Sequence, residues 1–237
     1  FMRNYVKEVV TRYKDSPAIW GWEFGNEYNL AADLPNAEQH RPPVWPNLGT
    51  RLSRSKEDDI TREMIRTAMK EFAEEVRKYD KHRLIITGNS EPRASAWHQM
   101  KYGTWEQDNF KQLKESVIGD NQDPIDTMSV HIYEETQERY SKNIQIKEFI
   151  EDLMGISKEI DKPLFVGEFG ANEKEGHDKG KEKFSKILKA IESTNVPLAA
   201  LWVFDFKGQK DVWNITEDNS REYQLRAIKE VNERYNN

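Results

Sequence analysis

The sequence predicts an α/β fold of parallel strands and helices, read as a (β/α)8 barrel whose first three strands are lacking from this chain. Three observations predict it. Short apolar runs alternate with amphipathic helical segments, the mark of βαβ units on a parallel sheet. Two of those runs, Ala18 to Phe24 and Pro163 to Gly170, deliver the carboxylates Glu27 and Glu168 at strand ends. The C-terminal ends of parallel strands are where α/β folds hold ligands and where barrels place their chemistry. Finally, 237 residues with 36% hydrophobic content suffice for one sizeable core, so residues 1–237 are read as a single domain. Five strands can be counted. A complete barrel needs eight, and an open sheet would expose its edges, so the others are expected from a missing N-terminal segment or from a partner chain.

The chain opens directly on a helix at Met2 to Tyr13, whose Val6, Val9, Val10 and Tyr13 make one apolar stripe. It is therefore expected to begin inside a fold. Asp15-Ser16-Pro17 turns into the first strand, Ala18 to Phe24, where an apolar run without alternation suits burial on both faces. Tyr28 to Ser53 is rich in aromatics and proline and too long for an idle connection, so it is expected to line a cleft, a disordered excursion being the alternative. Ser55 and Asp58 form a capping box that should open a helix to about Tyr79, with Ile60, Met64, Ala68, Phe72 and Val76 down one side. The second strand is Leu84 to Thr87, followed by an aromatic loop with Trp97, His98, Tyr102 and Trp105 and a helix near Glu106 to Val117. The third strand is Ile125 to Tyr133. A helix from about Ile144 to Ile160 leads to the fourth, Leu164 to Glu168, and a helix over Lys179 to Ser193 leads to the fifth, Leu198 to Phe206. A loop with Trp213 and a helix from Arg221 to Tyr235 follow.

Composition removes several functions. A formal net charge of -6 disfavours a polyanion, which needs clustered Lys and Arg, so no nucleic-acid partner is expected. No apolar run of about eighteen residues occurs and no signal peptide opens the chain, so no membrane partner is expected either. The absence of Cys removes disulfides, thiolate metal sites and Cys nucleophiles together. The five His are scattered without HExxH or HxxEH spacing, and His177-Asp178 reads as a solvated loop, so neither metal nor cofactor is expected. GxSxG, Walker and GxGxxG patterns are absent as well. Asn214-Ile215-Thr216 is a glycosylation sequon, read as a chance match.

Asn26-Glu27, Asn89, His131 with Tyr133, Glu168 and Trp202 all fall at C-terminal strand ends. Each alone has an ordinary packing or surface explanation. Together they form a constellation of catalytic type, and two carboxylates at one mouth are what glycoside hydrolysis requires. WEFGNE, HIY, FVGEFG and LW, in this order, resemble strands four, six, seven and eight of glycoside hydrolase family 5 and its clan of retaining (β/α)8 glycosidases. The chain would then cover roughly strands four to eight, and the wording around Glu27 is closer to mannanase-like than to cellulase-like members.

The resemblance implies Glu27 as general acid/base and Glu168 as nucleophile, about 5 to 5.5 Å apart as retention demands. It implies that Tyr133 hydrogen-bonds Glu168, that His131 helps position the Glu27 side, that Asn26 holds the sugar 2-OH and that Trp202 floors the reacting subsite. Trp45, Trp97, Trp105 and Trp213 are further candidate sugar platforms. The implied substrate is a β-linked oligo- or polysaccharide, mannan or β-glucan, cut internally, and the resemblance favours a secreted or periplasmic location. The family's Arg from its second strand and His from its third have no segment here on which to sit. The alternative is a non-catalytic glycan-binding or scaffold barrel fragment.

Overall fold

The computed structural model describes residues 1–235, which form two compact units, residues 1–129 with 139–141 and residues 130–138 with 142 onward. In the first unit, α1 (Met2–Tyr13) has its predicted span and buries Val6 and Val10 in a core shared with Ile65, Met69, Ala73 and Val76 of α2 (Arg62–Tyr79). β1 (Gly21–Glu23) runs parallel to β2 (Leu84–Ile86) with Trp22 opposite Ile85. β1 is shorter than predicted and is not covered on both faces. Trp22 is buried, whereas the opposite face carries Gly21 and Glu23, which offer no apolar side chain to pack; Trp20, just before the strand, is 71% exposed.

The Ser55–Asp58 capping box exists, but it closes a single 3-10 turn, Lys56–Asp58. Asp59 then turns extended and the Ile60 carbonyl accepts the Asp33 N–H (2.9 Å), which takes the chain off the helical path. Thr61 starts α2 instead, its hydroxyl accepting the Met64 N–H at 3.2 Å. The later start moves the buried stripe to Ile65, Met69, Ala73 and Val76 and leaves Met64 exposed. Tyr28 to Ser53 folds as three short turns, Tyr28–Ala31, Ala37–Gln39 and Pro46–Leu48, fastened by Arg41 to Asp59 (2.5 Å) and by Arg54 to the Pro43 carbonyl (2.8 Å). A helix absent from the sequence reading, α3 (Ala96–Tyr102), occupies the aromatic loop, and α4 (Phe110–Asp120) begins at an Asn109–Gln112 capping box.

A sheet is ordered β3-β6-β7, from β3 (Met128–Ile132), whose last three residues belong to the second unit, and from β6 (Leu164–Phe169) and β7 (Leu198–Leu201) of that unit. A small two-stranded sheet, β4 (Thr136–Arg139) and β5 (Lys142–Gln145), whose residues 139–141 are grouped with the first unit, was not legible in the sequence. Its turn residues Tyr140 and Ser141 both take left-handed φ (55° and 59°), a geometry that Asn and Gly usually advertise. α5 (Ile146–Glu159) buries Phe149, Ile150, Leu153 and Ile156, and α6 (His177–Ser193) and α7 (Tyr223–Tyr235) complete the unit. His177 is thus the first residue of α6 and not a free loop, with Nδ1 2.8 Å from Glu173. β7 stops short of the predicted Phe206 because the following segment pairs elsewhere, Ile215 donating to the Val203 carbonyl and Asp205 to that of Ile215 (2.9 and 3.0 Å). The sequon residue Asn214 is buried and accepts the Phe206 N–H at 2.5 Å.

Asp80, which caps the C-terminal end of α2, fixes the first unit's core from beneath. Burial raises its carboxyl, but N–H bonds from His82, the Trp22 indole (2.9 Å) and Arg83, with the Arg83 charge, outweigh that and hold it below the ordinary carboxylate value. A depressed folded value means stability that is present above the unfolded value of about 4 and lost as pH falls through the folded one. Asp80→Asn should therefore destabilise by about 1–3 kcal/mol at neutral pH, with the gap to wild type narrowing in acid, as read by denaturant melts at both pH values.

Candidate active site

In the first unit Glu27 sits just past β1 in a left-handed conformation (φ 54°, ψ 27°), uncommon for a residue with a Cβ and costing about 1–3 kcal/mol where it persists. The Glu27 N–H donating to the Gly88 carbonyl (2.8 Å) holds it there. Gly88 has φ +71°, and a Cβ on it would lie 1.7 Å from the Gly25 carbonyl oxygen, so the close crossing of the two strand-end loops requires glycine. Behind it, Asn29 and Ser90 exchange two hydrogen bonds, Asn29 Nδ2 to the Ser90 carbonyl (2.8 Å) and the Ser90 N–H to Asn29 Oδ1 (3.1 Å). Asn26 is exposed and Glu27 half-buried. Asn89 is buried with both polar atoms of its amide unpaired among the described residues, a cost found at functional sites more than in cores.

The loop tryptophans of this unit differ among themselves. Trp45 and Trp105 are each 54% exposed. Trp97 is built into the α3–α4 packing, its indole donating to Glu115 (2.7 Å) and its ring edge-on to His98 and Tyr102, while His98 pairs through Nδ1 with buried Asp108 (2.7 Å).

In the second unit Tyr133, His131, Glu168 and Trp213 come together. The Tyr133 hydroxyl donates to the Glu168 carboxylate, and His131 Nδ1 lies 3.5 Å from the same oxygen. Trp213 packs edge-on against Tyr133, with ring centroids 5.1 Å apart. His131 is fully buried in β3, so its ring has little freedom. Glu168 is presented by an irregularity in β6: Val166 faces Ala199 and Phe169 faces Leu201, three steps on one strand against two on the other. That extra residue returns Phe169 to the buried side, where it stacks on Phe184 (6.0 Å), and leaves Glu168 at the strand's open end. Trp202 follows β7, with its N–H on the Phe169 carbonyl (2.9 Å), its indole N–H on Gln209 (2.9 Å) and a cis peptide bond to Val203.

Residues 1–208 match the model of the cellulase family, glycosyl hydrolase family 5. The chain belongs to that family. Membership places it in the (β/α)8-barrel class, and solved family 5 structures share the fold. An endo-1,4-β-mannanase of Rhizomucor miehei superposes with a TM-score of 0.57 at 16% identity, over 94% of this chain and 60% of that one. An endoglucanase of Pseudomonas stutzeri gives 0.54 at 15%, over 95% and 59%. In sequence, a probable mannan endo-1,4-β-mannosidase C of Aspergillus terreus is 34% identical over 86 residues, 36% of this chain and 18% of that protein. The chain thus spans about three fifths of the length of the mannanase and less of the Aspergillus protein.

Sequence reasoning missed supporting residues in each unit. Asn29, Gln209 and the buried pair Arg221–Glu173 (3.2 Å) each act through contacts that no spacing announces. Gly170 is a further support, because a Cβ there would stand 2.7 Å from the Trp202 carbonyl oxygen, which is main chain and cannot swing away. Gly170→Ala should lower stability by about 1–3 kcal/mol, and a thermal melt within a fraction of a degree of wild type would contradict the close approach.

Proposed function

We propose that this family 5 chain carries the catalytic carboxylates of a retaining β-glycoside hydrolase that cuts β-1,4-linked mannan or β-glucan internally. The observation that carries the reading is Glu168 at the end of β6, its carboxylate accepting the Tyr133 hydroxyl with His131 beside it. An ionised carboxylate only accepts hydrogen bonds, so a phenol donor aims one lone pair and leaves the others for attack. In this mechanism Glu168 attacks the anomeric carbon and forms a glycosyl-enzyme while Glu27 protonates the departing oxygen. Glu27 then takes a proton from water, which attacks the same carbon, breaks the bond to Glu168 and restores the original anomeric configuration.

Other residues fill the roles of substrate contact. Asn26 would hold the 2-OH, whose bond strengthens as the ring flattens toward an oxocarbenium ion. Trp202 would floor the reacting subsite, with Trp213 beside Tyr133 and the exposed Trp45 and Trp105 as outlying platforms. The names of the relatives, two mannan-cleaving enzymes and an endoglucanase, support β-1,4-linked hexose polymers as the substrate class. The working enzyme would include further β/α units from sequence outside these residues or from another chain, which the share of the relatives' length spanned here supports.

Glu168→Ala should remove turnover of every substrate, because no covalent intermediate can form. Glu27→Ala should cost about 10²–10⁴ in kcat/KM on polysaccharide but far less on aryl glycosides whose leaving group departs without a proton. Equal losses on both substrates would take the acid/base role away from Glu27.

A further inference from the structure

Trp202 is held at its main chain and at its ring by different groups. The main chain is set by the N–H bond to Phe169 and by the close approach of its carbonyl to Gly170. The ring is set by its indole N–H, which donates to the side-chain oxygen of Gln209 at 2.9 Å, with Phe206 edge-on at 6.4 Å between centroids. An indole offers one donor and no acceptor, so one well-placed oxygen selects one orientation of the ring about its side-chain bonds.

Gln209 is a firm anchor for that bond. It ends the 3-10 turn Lys207–Gln209, its N–H donates to the Phe206 carbonyl (3.0 Å), and its own carbonyl receives the N–H groups of Trp213 (3.1 Å) and Asn214 (3.0 Å). The same residue therefore holds the ring of Trp202 and the main chain of Trp213, whose own ring packs on Tyr133. Arg221 clasps the loop from behind, donating to the carbonyls of Asn214 (2.6 Å) and Lys210 (2.7 Å) and pairing with Glu173. Arg221 and Glu173 are themselves buried at about a tenth exposure, so the clasp is shielded from solvent.

We propose that Gln209 is a positioning residue of the glycosidase reaction, its side-chain oxygen fixing the face that Trp202 presents to the reacting sugar. This rests on Trp202 flooring the reacting subsite, so the test reads ring and reaction separately. In the full chain labelled with ¹⁵N-tryptophan, Gln209→Leu should shift the Trp202 indole N–H resonance upfield, and Gln209→Glu, which keeps an acceptor oxygen, should leave it near wild type. On a β-1,4-linked mannooligosaccharide, Gln209→Leu should lower kcat about tenfold with KM within about twofold, and Gln209→Glu should recover most of the loss. In a Trp202→Phe background, which has no indole N–H, Gln209→Leu should add nothing further. An unmoved resonance, or additive losses in the double variant, overturns the proposal while leaving Trp202 in the subsite. A Trp202→Phe enzyme as active as wild type removes Trp202 from the subsite and the positioning role with it.

Discussion

The hydrogen bond from Tyr133 to Glu168 is the contact on which the second unit's candidate site depends. It ties the residue that follows β3 to the end of β6, the strand hydrogen-bonded between β3 and β7. Neighbouring strands of this sheet deliver their ends to one edge, so side chains far apart in sequence meet there without long loops. Tyr133 in turn is backed by Trp213, whose loop hangs from Gln209 and is closed by Arg221. The carboxylate is thus oriented by a chain of contacts three residues deep, which is how a site keeps its geometry without relying on a flexible glutamate.

The extra residue in β6 gives the same carboxylate its direction. A regular strand alternates faces, and Leu164 and Val166 are buried, so an uninterrupted alternation would put residue 168 with them. Phe169 takes the buried place instead. Glu27 is presented by a different device, a left-handed backbone pinned to Gly88. Both candidate carboxylates therefore sit on locally irregular backbone, the pattern expected where function opposes regular structure.

Much of this was legible in the sequence because it depends on local pattern. The α1 span, the apolar runs of β3 and β6 and the order Asn26-Glu27, His131, Tyr133, Glu168, Trp202 could all be read from composition along the chain, and the Tyr133–Glu168 bond followed from the family resemblance. The start of α2 was misplaced because two capping signals, Ser55 and Thr61, stand close together and a long-range bond from Asp33 decides between them. The β4–β5 pair was missed because Tyr140 and Ser141 are not the usual residues of a tight turn. Trp97 looked like the other loop tryptophans until α3 gave it packing partners.

The proposed mechanism puts the covalent bond to sugar on Glu168. In a 2-deoxy-2-fluoro-β-mannosyl fluoride the 2-fluoro group slows both steps while the fluoride leaving group keeps the first one fast, so the glycosyl-enzyme accumulates and survives digestion for peptide mass spectrometry. One fluorosugar should be added per chain, on the peptide that contains Glu168, and should be lost on reactivation by an acceptor sugar. A label carried on Glu27 or any other carboxylate, or turnover with inverted configuration and no label, would contradict that mechanism.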